Sequence, residues 1–493
     1  MSPENPQDTP RRGTLLEAEN GPAIEYDETG LVLHLADKVV EDLARRLGGK
    51  VSGAAAETVA ETGDDAPVAV ARGAQPDPGV LGDIDAWDLQ EKGDWYRFMA
   101  RLPGTEGSRH YLRPRSGGGI IAETGGAVQG LFGIGGGRHV TTWPSPPRFR
   151  HHVVMAKAPS EGEPERRVEN LRETSGESAL GDALIARRHD AYRALPLIVT
   201  GQDLLPPGPE DVPNEVLEGL SDRLTRFQAV ATSLGKSARL LALRVAPGPD
   251  QAADSISDFH RAALAQLDAI SAKVPVADLG KIRFLTVTDS GAWWQHEADA
   301  NRPALEGQYQ LILRPGAHHL IVAAPGYMFA QDDLGQPTQA AALNRAEMEA
   351  YALEADLARE SWTCPLLYLA ERDGDVIRAT FKSDDGLVLD PADPFGAGSA
   401  AGFALAGTEA GIASVEIASD DPGAVLIRTN GVLTASAGAD SLRLDYAIGG
   451  PARVQSVENF PPACGALRDH WQAPAPDGSM LHRWALPGSL ELR

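Results

Sequence analysis

The chain has 493 residues, 42% of them hydrophobic, so it is long enough for two or three domains and apolar enough to fill their cores. Its formal net charge of -24 excludes a polyanion partner such as DNA, because no basic stripe is present to neutralise phosphates. No run approaches the roughly 20 apolar residues of a membrane-spanning helix, and the polar, acidic start Met1-Ser-Pro-Glu-Asn lacks the layout of a signal peptide.

In chain order, residues 1–13 read as a polar tail. An apolar run at 31–35 predicts a strand, and 37–47 predicts a helix that ends at Gly48-Gly49. Residues 54–77, rich in Ala, Glu, Asp and Pro, predict a linker. Together 1–105 form an N-terminal attachment segment, with Trp87, Trp95, Tyr96 and Phe98 marking the onset of packing. Over 106–365 the rhythm alternates between short apolar runs and long helical patterns. Strands are expected at 119–121, 195–199, 238–245, 282–288 and 319–324, several of them apolar throughout, as strands buried on both faces are. Helices are expected at 177–192, 214–233, 255–272 (capped by Asp254 or Ser255) and 339–359. This order predicts an α/β domain, a parallel sheet with helices on both faces. From 366 to 493, alternating runs at 376–381, 413–418, 424–429 and 441–448 predict a C-terminal antiparallel β-sandwich. The two cysteines, Cys364 and Cys464, are expected as buried free thiols.

Open parallel sheets place sites beyond the carboxyl ends of their strands. The loops to inspect therefore carry Ser116 (within Arg113-Pro-Arg-Ser-Gly-Gly-Gly), Gln202-Asp203, Pro247-Gly-Pro249, Trp293-Trp294, and the segment from Pro325 to Thr338 with Tyr327, Asp333 and Gln336. The order of these loops resembles the SGNH (GDSL-like) carbohydrate esterases, particularly the sialate O-acetylesterase type and relatives in phage-like tail and spike proteins, over roughly 106–493. Asp333-Leu-Gly-Gln336-Pro-Thr338 is similar to the family's Asp-x-x-His-x-Thr block, and 235–245 to the strand before its third block. The resemblance implies an SGNH-like (flavodoxin-like) sheet, Ser116 in a place like the nucleophile's, and Asp333 beside the catalytic base.

The departures change what this implies. A nucleophilic Ser needs a histidine to take its proton, and Gln336 does not titrate near neutral pH. Ser116 matches the family's Gly-Gln-Ser poorly, and 247–249 offers Pro-Gly-Pro where polar groups would stabilise an oxyanion. Three losses together predict a degenerate site that holds sugar without cutting it: Gln336, Gln202, Asp203 and Arg138 bonding hydroxyls, and Trp293, Trp294 and Tyr327 stacking on sugar faces. The plainer readings are a turn role for Ser116, core packing for Trp293-Trp294, and capping for Asp332-Asp333. The glycine-rich 133–138 is not followed by a helix, so it is not read as a dinucleotide site. The adjacent pairs His151-His152 and His318-His319 would face opposite ways on a strand, so no metal site and no cofactor are expected.

The leading expectation is a virion-type spike or fibre protein, of a phage-like or gene-transfer-agent particle, that binds a cell-surface polysaccharide such as capsule. It would be made in the cytoplasm and dock onto its particle, or onto a partner subunit, through 1–105. A homo-oligomer is compatible with the sequence, although no coiled coil enforces one. Two alternatives stand beside it: an active carbohydrate O-acetylesterase using Ser116 with a displaced histidine, His318 or His319, and a purely structural particle subunit.

Overall fold

The computed structural model describes residues 13–18, 21–27, 30–33, 81, 84–102, 107–136, 141–158, 168–188, 195–205, 212–246, 255–289, 298–331, 337–436, 441–448 and 463–493. The chain divides into two compact units, Met1–Gly73 and Ala74–Arg493. In the first, β1 (Gly13–Ala18), β2 (Gly21–Asp27) and β3 (Gly30–Leu33) form an antiparallel sheet. The helix expected at 37–47 and the linker at 54–77 lie outside the described residues.

The second unit begins with a four-stranded antiparallel sheet, β4 (Ala86–Lys92), β5 (Trp95–Ala100), β6 (Arg109–Pro114) and β7 (Ile121–Ala122). Two expectations are corrected here. A domain boundary at 105 would cut between β5 and β6, which pair along their whole length. The run at 119–121 is not the first parallel strand either, because it leads into β7, which pairs antiparallel with β6.

The first parallel strand is β8 (Val128–Gly135). With β10 (Val153–Ala156), β11 (Val168–Asn170), β13 (Ile198–Leu204), β14 (Ala238–Ala246), β15 (Phe284–Thr288) and β16 (Leu320–Pro325) it forms a seven-stranded sheet in the order β11-β10-β13-β8-β14-β15-β16. Only β11 runs antiparallel to its neighbour. A minor pair, β9 (Thr142–Trp143) and β12 (Thr174–Ser175), lies outside this sheet. The sequence Val-Gln-Gly-Leu-Phe-Gly-Ile-Gly hid β8, since glycines weaken a strand pattern. The packing requires them: a Cβ at Gly130 would stand 2.9 Å from the Phe227 ring.

The sheet is covered on both faces. Helices α2 (Asn214–Ser233), α3 (Ile256–Lys273), the short α4 (Val276–Leu279) and α5 (Ala298–Leu313) bury Leu220, Leu224, Phe227, Phe259, Leu279 and Leu311 against Phe132, Val199 and Leu243. Helices α1 (Gly176–Arg188) and α6 (Gln339–Ala358) pack Leu180, Leu184, Ala346 and Leu353 against Leu131, Ile198 and Leu285. The capping hydroxyls are Ser255, accepting from the Asp258 amide, and Thr338, accepting from the Ala341 amide. Thr338 therefore caps α6, while Asp332 and Asp333 lie outside the described residues. Helix α5 carries Pro303 inside it, which breaks the sequence pattern by which helices are read. No helix among the described residues is long and apolar enough to cross a membrane.

From Leu366 the chain forms three antiparallel sheets. One joins β17 (Leu366–Asp373), β18 (Val376–Lys382), β21 (Ile412–Ile417) and β22 (Ala424–Thr429). The second joins β19 (Leu387–Leu389), β24 (Leu467–Pro474) and β25 (Met480–Trp484). The third joins β20 (Phe403–Ala406), β23 (Arg443–Tyr446) and β26 (Gly488–Glu491). They enclose a core that includes Phe381, Phe395, Phe403, Tyr446 and Trp484. Both cysteines are free and buried, with Cys364 directed at the Ala323 carbonyl and Cys464 at that of Phe395.

Asp182 of α1 accepts from the backbone amides of Arg148 and Phe149 at 2.6 and 2.9 Å. Burial outweighs those bonds and lifts its carboxyl from the ordinary 3.8 to about 6. A raised carboxyl value means the folded chain holds the proton more tightly than the unfolded one, so this group weakens the fold as pH rises from about 4 to about 6 and adds no slope above that. The Asp182→Asn variant is expected to lose that slope. Thermal midpoints measured from pH 4 to 7 check this; parallel curves for wild type and variant would refute it.

Candidate functional site

In the sheet order, β8 stands at the centre, flanked by β13 and β14, and the chain passes first to one side and then to the other. The crevice of an open sheet therefore forms at the carboxyl ends of these three strands. The register pairs Gly133 of β8 with Gln202 of β13 and with Arg244 of β14. Arg244 is the unusual residue, a cation on a strand that is otherwise almost wholly apolar, and it is buried. A buried guanidinium persists only when it is paired.

Its partners come from the two helices on that face. Arg244 Nη1 donates to Glu177 Oε1 of α1 at 2.6 Å. Its Nε and Nη2 donate to Glu349 Oε2 and Oε1 of α6 at 2.8 and 3.0 Å, a two-point grip on one carboxylate. Arg345, one turn earlier on α6, donates through Nε to Glu349 Oε1 at 3.0 Å. Two carboxylates and two guanidiniums thus close a balanced network. Burial pushes the Glu349 carboxyl up, but Arg244 and Arg345 outweigh it and hold the carboxyl below its ordinary value. Burial pulls Arg345 down, with the Arg244 cation adding to it against Glu349.

The network fills the space over the central strand. A Cβ at Gly133 would stand 2.0 Å from Glu177 Oε1, and one at Gly176 would stand 2.3 Å from Arg244 Nη1. The opening left beside Gly133, Gly135, Glu177, Arg244 and Arg345 measures about 10 Å³, the room for roughly one water and not for a sugar. Glu177 Oε2 faces burial without a hydrogen-bond partner among the described residues.

The expected site residues scatter. Ser116 is exposed in the turn after β6. The small sheet that carries it meets the amino ends of the parallel strands: Trp95, opposite Pro114, donates to the Ser233 carbonyl at the end of α2, just ahead of β14. Ser116 therefore does not follow a parallel strand, because the expected first strand is β7 of another sheet. Gln202 and Asp203 are neighbours on β13 and point to opposite faces. Asp203 is held by Arg223 of α2 at 2.9 and 3.0 Å, whereas Gln202 shares the face of Glu177, with its Oε1 buried and unpartnered among the described residues. Tyr327 is completely buried and donates to the Ala485 carbonyl at 2.7 Å, so its ring packs the core and offers no stacking platform. Arg138, Trp293, Trp294, Asp333, Gln336 and Pro247–Pro249 lie outside the described residues.

Neither histidine pair lies on a strand: His151-His152 directly precede β10 and His318-His319 directly precede β16. His151 bonds the Ile120 carbonyl and His152 that of Pro196. His318 meets Asp268 at 3.1 Å and His319 meets Asp356 at 2.5 Å, both just before the amino end of β16. Glu177, Arg345 and Glu349 were missed by the sequence reading. The signal for their network was Arg244 itself, an arginine inside a both-faces-buried strand, which demands carboxylates from the covering helices.

No family model and no curated relative matches the chain. Among solved structures it is similar to a carbohydrate acetylesterase from Xanthomonas citri, at 12% identity and a TM-score of 0.45, over 78% of this chain and 86% of that one.

Proposed function

We propose that this chain binds carbohydrate without cleaving it, through an SGNH-type α/β domain whose esterase chemistry has been lost, followed by a β-sandwich. The observation that carries this reading is the filled carboxyl edge of β8. Side-chain room at Gly133 is taken by Glu177 on Arg244, and the residues after the strand, Gly136-Gly137-Arg138-His139, include no hydroxyl or thiol to act as a nucleophile. A display role fits the separate compact unit Met1–Gly73, which would dock onto a phage-like or gene-transfer-agent particle while the rest contacts capsule or another cell-surface polysaccharide.

The expected result is no turnover of p-nitrophenyl acetate or O-acetylated glycans above the buffer rate, with Ser116→Ala identical to wild type, alongside retention on a glycan array. Hydrolysis abolished by Ser116→Ala would establish the esterase alternative instead. A folded protein that binds particles and no glycan would favour the scaffold alternative.

A further inference from the structure

Among the described residues, the opening beside Gly133 has room for about one water and not for a sugar, which directs attention to larger openings. A larger opening of about 480 Å³ lies where the segment after β16 and the first turns of α6 meet the β24–β25 hairpin. That volume is within the range of small-ligand pockets. Its inner wall is apolar: Phe329 is buried, and Phe395 and Trp484 meet edge to face at 4.8 Å between ring centres. Met480, half exposed, stands on the same lining.

The polar groups of this cleft are mostly acceptors. Asn344 donates through Nδ2 to Asp477 at 3.2 Å, and its Oδ1 is buried without a partner among the described residues. His482 Nδ1 lies 3.3 Å from the Trp471 carbonyl. A carbonyl oxygen only accepts, so Nδ1 carries the proton and Nε2 is left as an acceptor. Burial, with the nearby Arg468 cation, lowers the imidazole's proton affinity and keeps it neutral. Asp390 is ion-paired with Arg468 at 2.6 Å, whereas the partners of Asp477 are Ser479 and Asn344. No lysine or arginine is among the described lining residues.

We infer, resting on the carbohydrate-binding reading above, that this cleft is the saccharide site and that it takes a neutral or amine-bearing sugar and rejects an acidic one. Ligand hydroxyl or ammonium donors match His482 Nε2 and Asp477, which Asn344 holds in place through Nδ2, while an apolar sugar face lies toward Phe329 and Met480. A uronate or sialate carboxyl would stand beside Asp477, and Arg468, the cation next to this cleft, is already ion-paired with Asp390, so the acidic group meets like charge, which works as discrimination.

The test is calorimetric titration of the full chain with maltotriose, chitosan trimer, trigalacturonate and sialyllactose. Neutral or amine-bearing probes are expected to bind at least tenfold tighter than the acidic ones. Ala340→Trp places an indole at the mouth from an exposed position at the start of α6, and is expected to cut that affinity at least tenfold with an unchanged melting temperature. Asn344→Ala, which does not rely on bulk, is expected to weaken it about fivefold. Asp477→Asn is expected to narrow the gap between neutral and acidic probes. Tight binding that survives both Ala340→Trp and Asn344→Ala would overturn the assignment of this cleft and leave carbohydrate binding standing. A preference for acidic probes would overturn the stated selectivity. Failure of every probe, and of a glycan array, to bind the folded wild type would overturn carbohydrate binding itself.

Discussion

Replacing Arg244 with methionine is expected to destabilise the fold by about 3–5 kcal/mol, the cost of breaking a buried ion pair from one side. The methionine fills much of the same volume, so the loss is electrostatic and not a cavity. Among the described residues, Glu349 would keep Arg345 at 3.0 Å, but Glu177 would keep no cation, and its Oε2 already lacks a partner. A buried, unpaired carboxylate either takes up a proton or drags water inward, and both weaken the native state. Urea unfolding followed by tryptophan fluorescence reads the effect. The double variant Arg244→Met/Glu177→Met removes both ends of that pair and is expected to recover much of the loss. A single-variant cost below about 1 kcal/mol, the value of a solvated surface pair, would mean that the network is hydrated and the carboxyl edge is not filled.

The Gly133→Ala variant is expected to cost on the order of 2–3 kcal/mol, in the range of overpacked cores. The new Cβ would stand 2.0 Å from Glu177 Oε1 and 2.7 Å from its Cδ. Glu177 has little freedom to yield, since Arg244 holds its carboxylate at 2.6 Å and the side chain is buried. Trimming the neighbour relieves the clash, so Gly133→Ala within Glu177→Ala is expected to cost less than the two changes added, by roughly 0.5–3 kcal/mol of coupling. Simple additivity in a urea-denaturation cycle would show that Glu177 does not occupy this space. The same geometry bears on function: a side chain at position 133 requires the loss or displacement of Glu177 first.

Much of the α/β unit was legible because its elements obey local rules. The 214–233 helix follows from apolar residues at helical spacing, and the 238–246 strand from an apolar run interrupted only by Arg239 and Arg244. Ser255 announces α3 because its hydroxyl satisfies a first-turn amide. The central strand was illegible for an equally physical reason. Gly130, Gly133 and Gly135 remove the side chains by which a strand is recognised, and at Gly130 and Gly133 the space is taken by Phe227 and Glu177, distant in sequence. Without β8 the sequence pattern starts the sheet at 119–121 and points to Ser116, which lies in the turn after β6 of the antiparallel sheet.

By itself the sequence determined the class of the protein: an acidic α/β chain with two-faced burial and a β-rich end. These are properties of composition, period and residue identity, and they need no partner. The tertiary structure alone decided which residues share a site. Strand alternation sent Gln202 and Asp203 to opposite faces, burial turned Tyr327 into core, and two helices far apart in the chain brought Glu177, Arg345 and Glu349 onto Arg244. Ion pairing between distant segments depends on register and on helix packing, and neither is written in any local stretch of sequence.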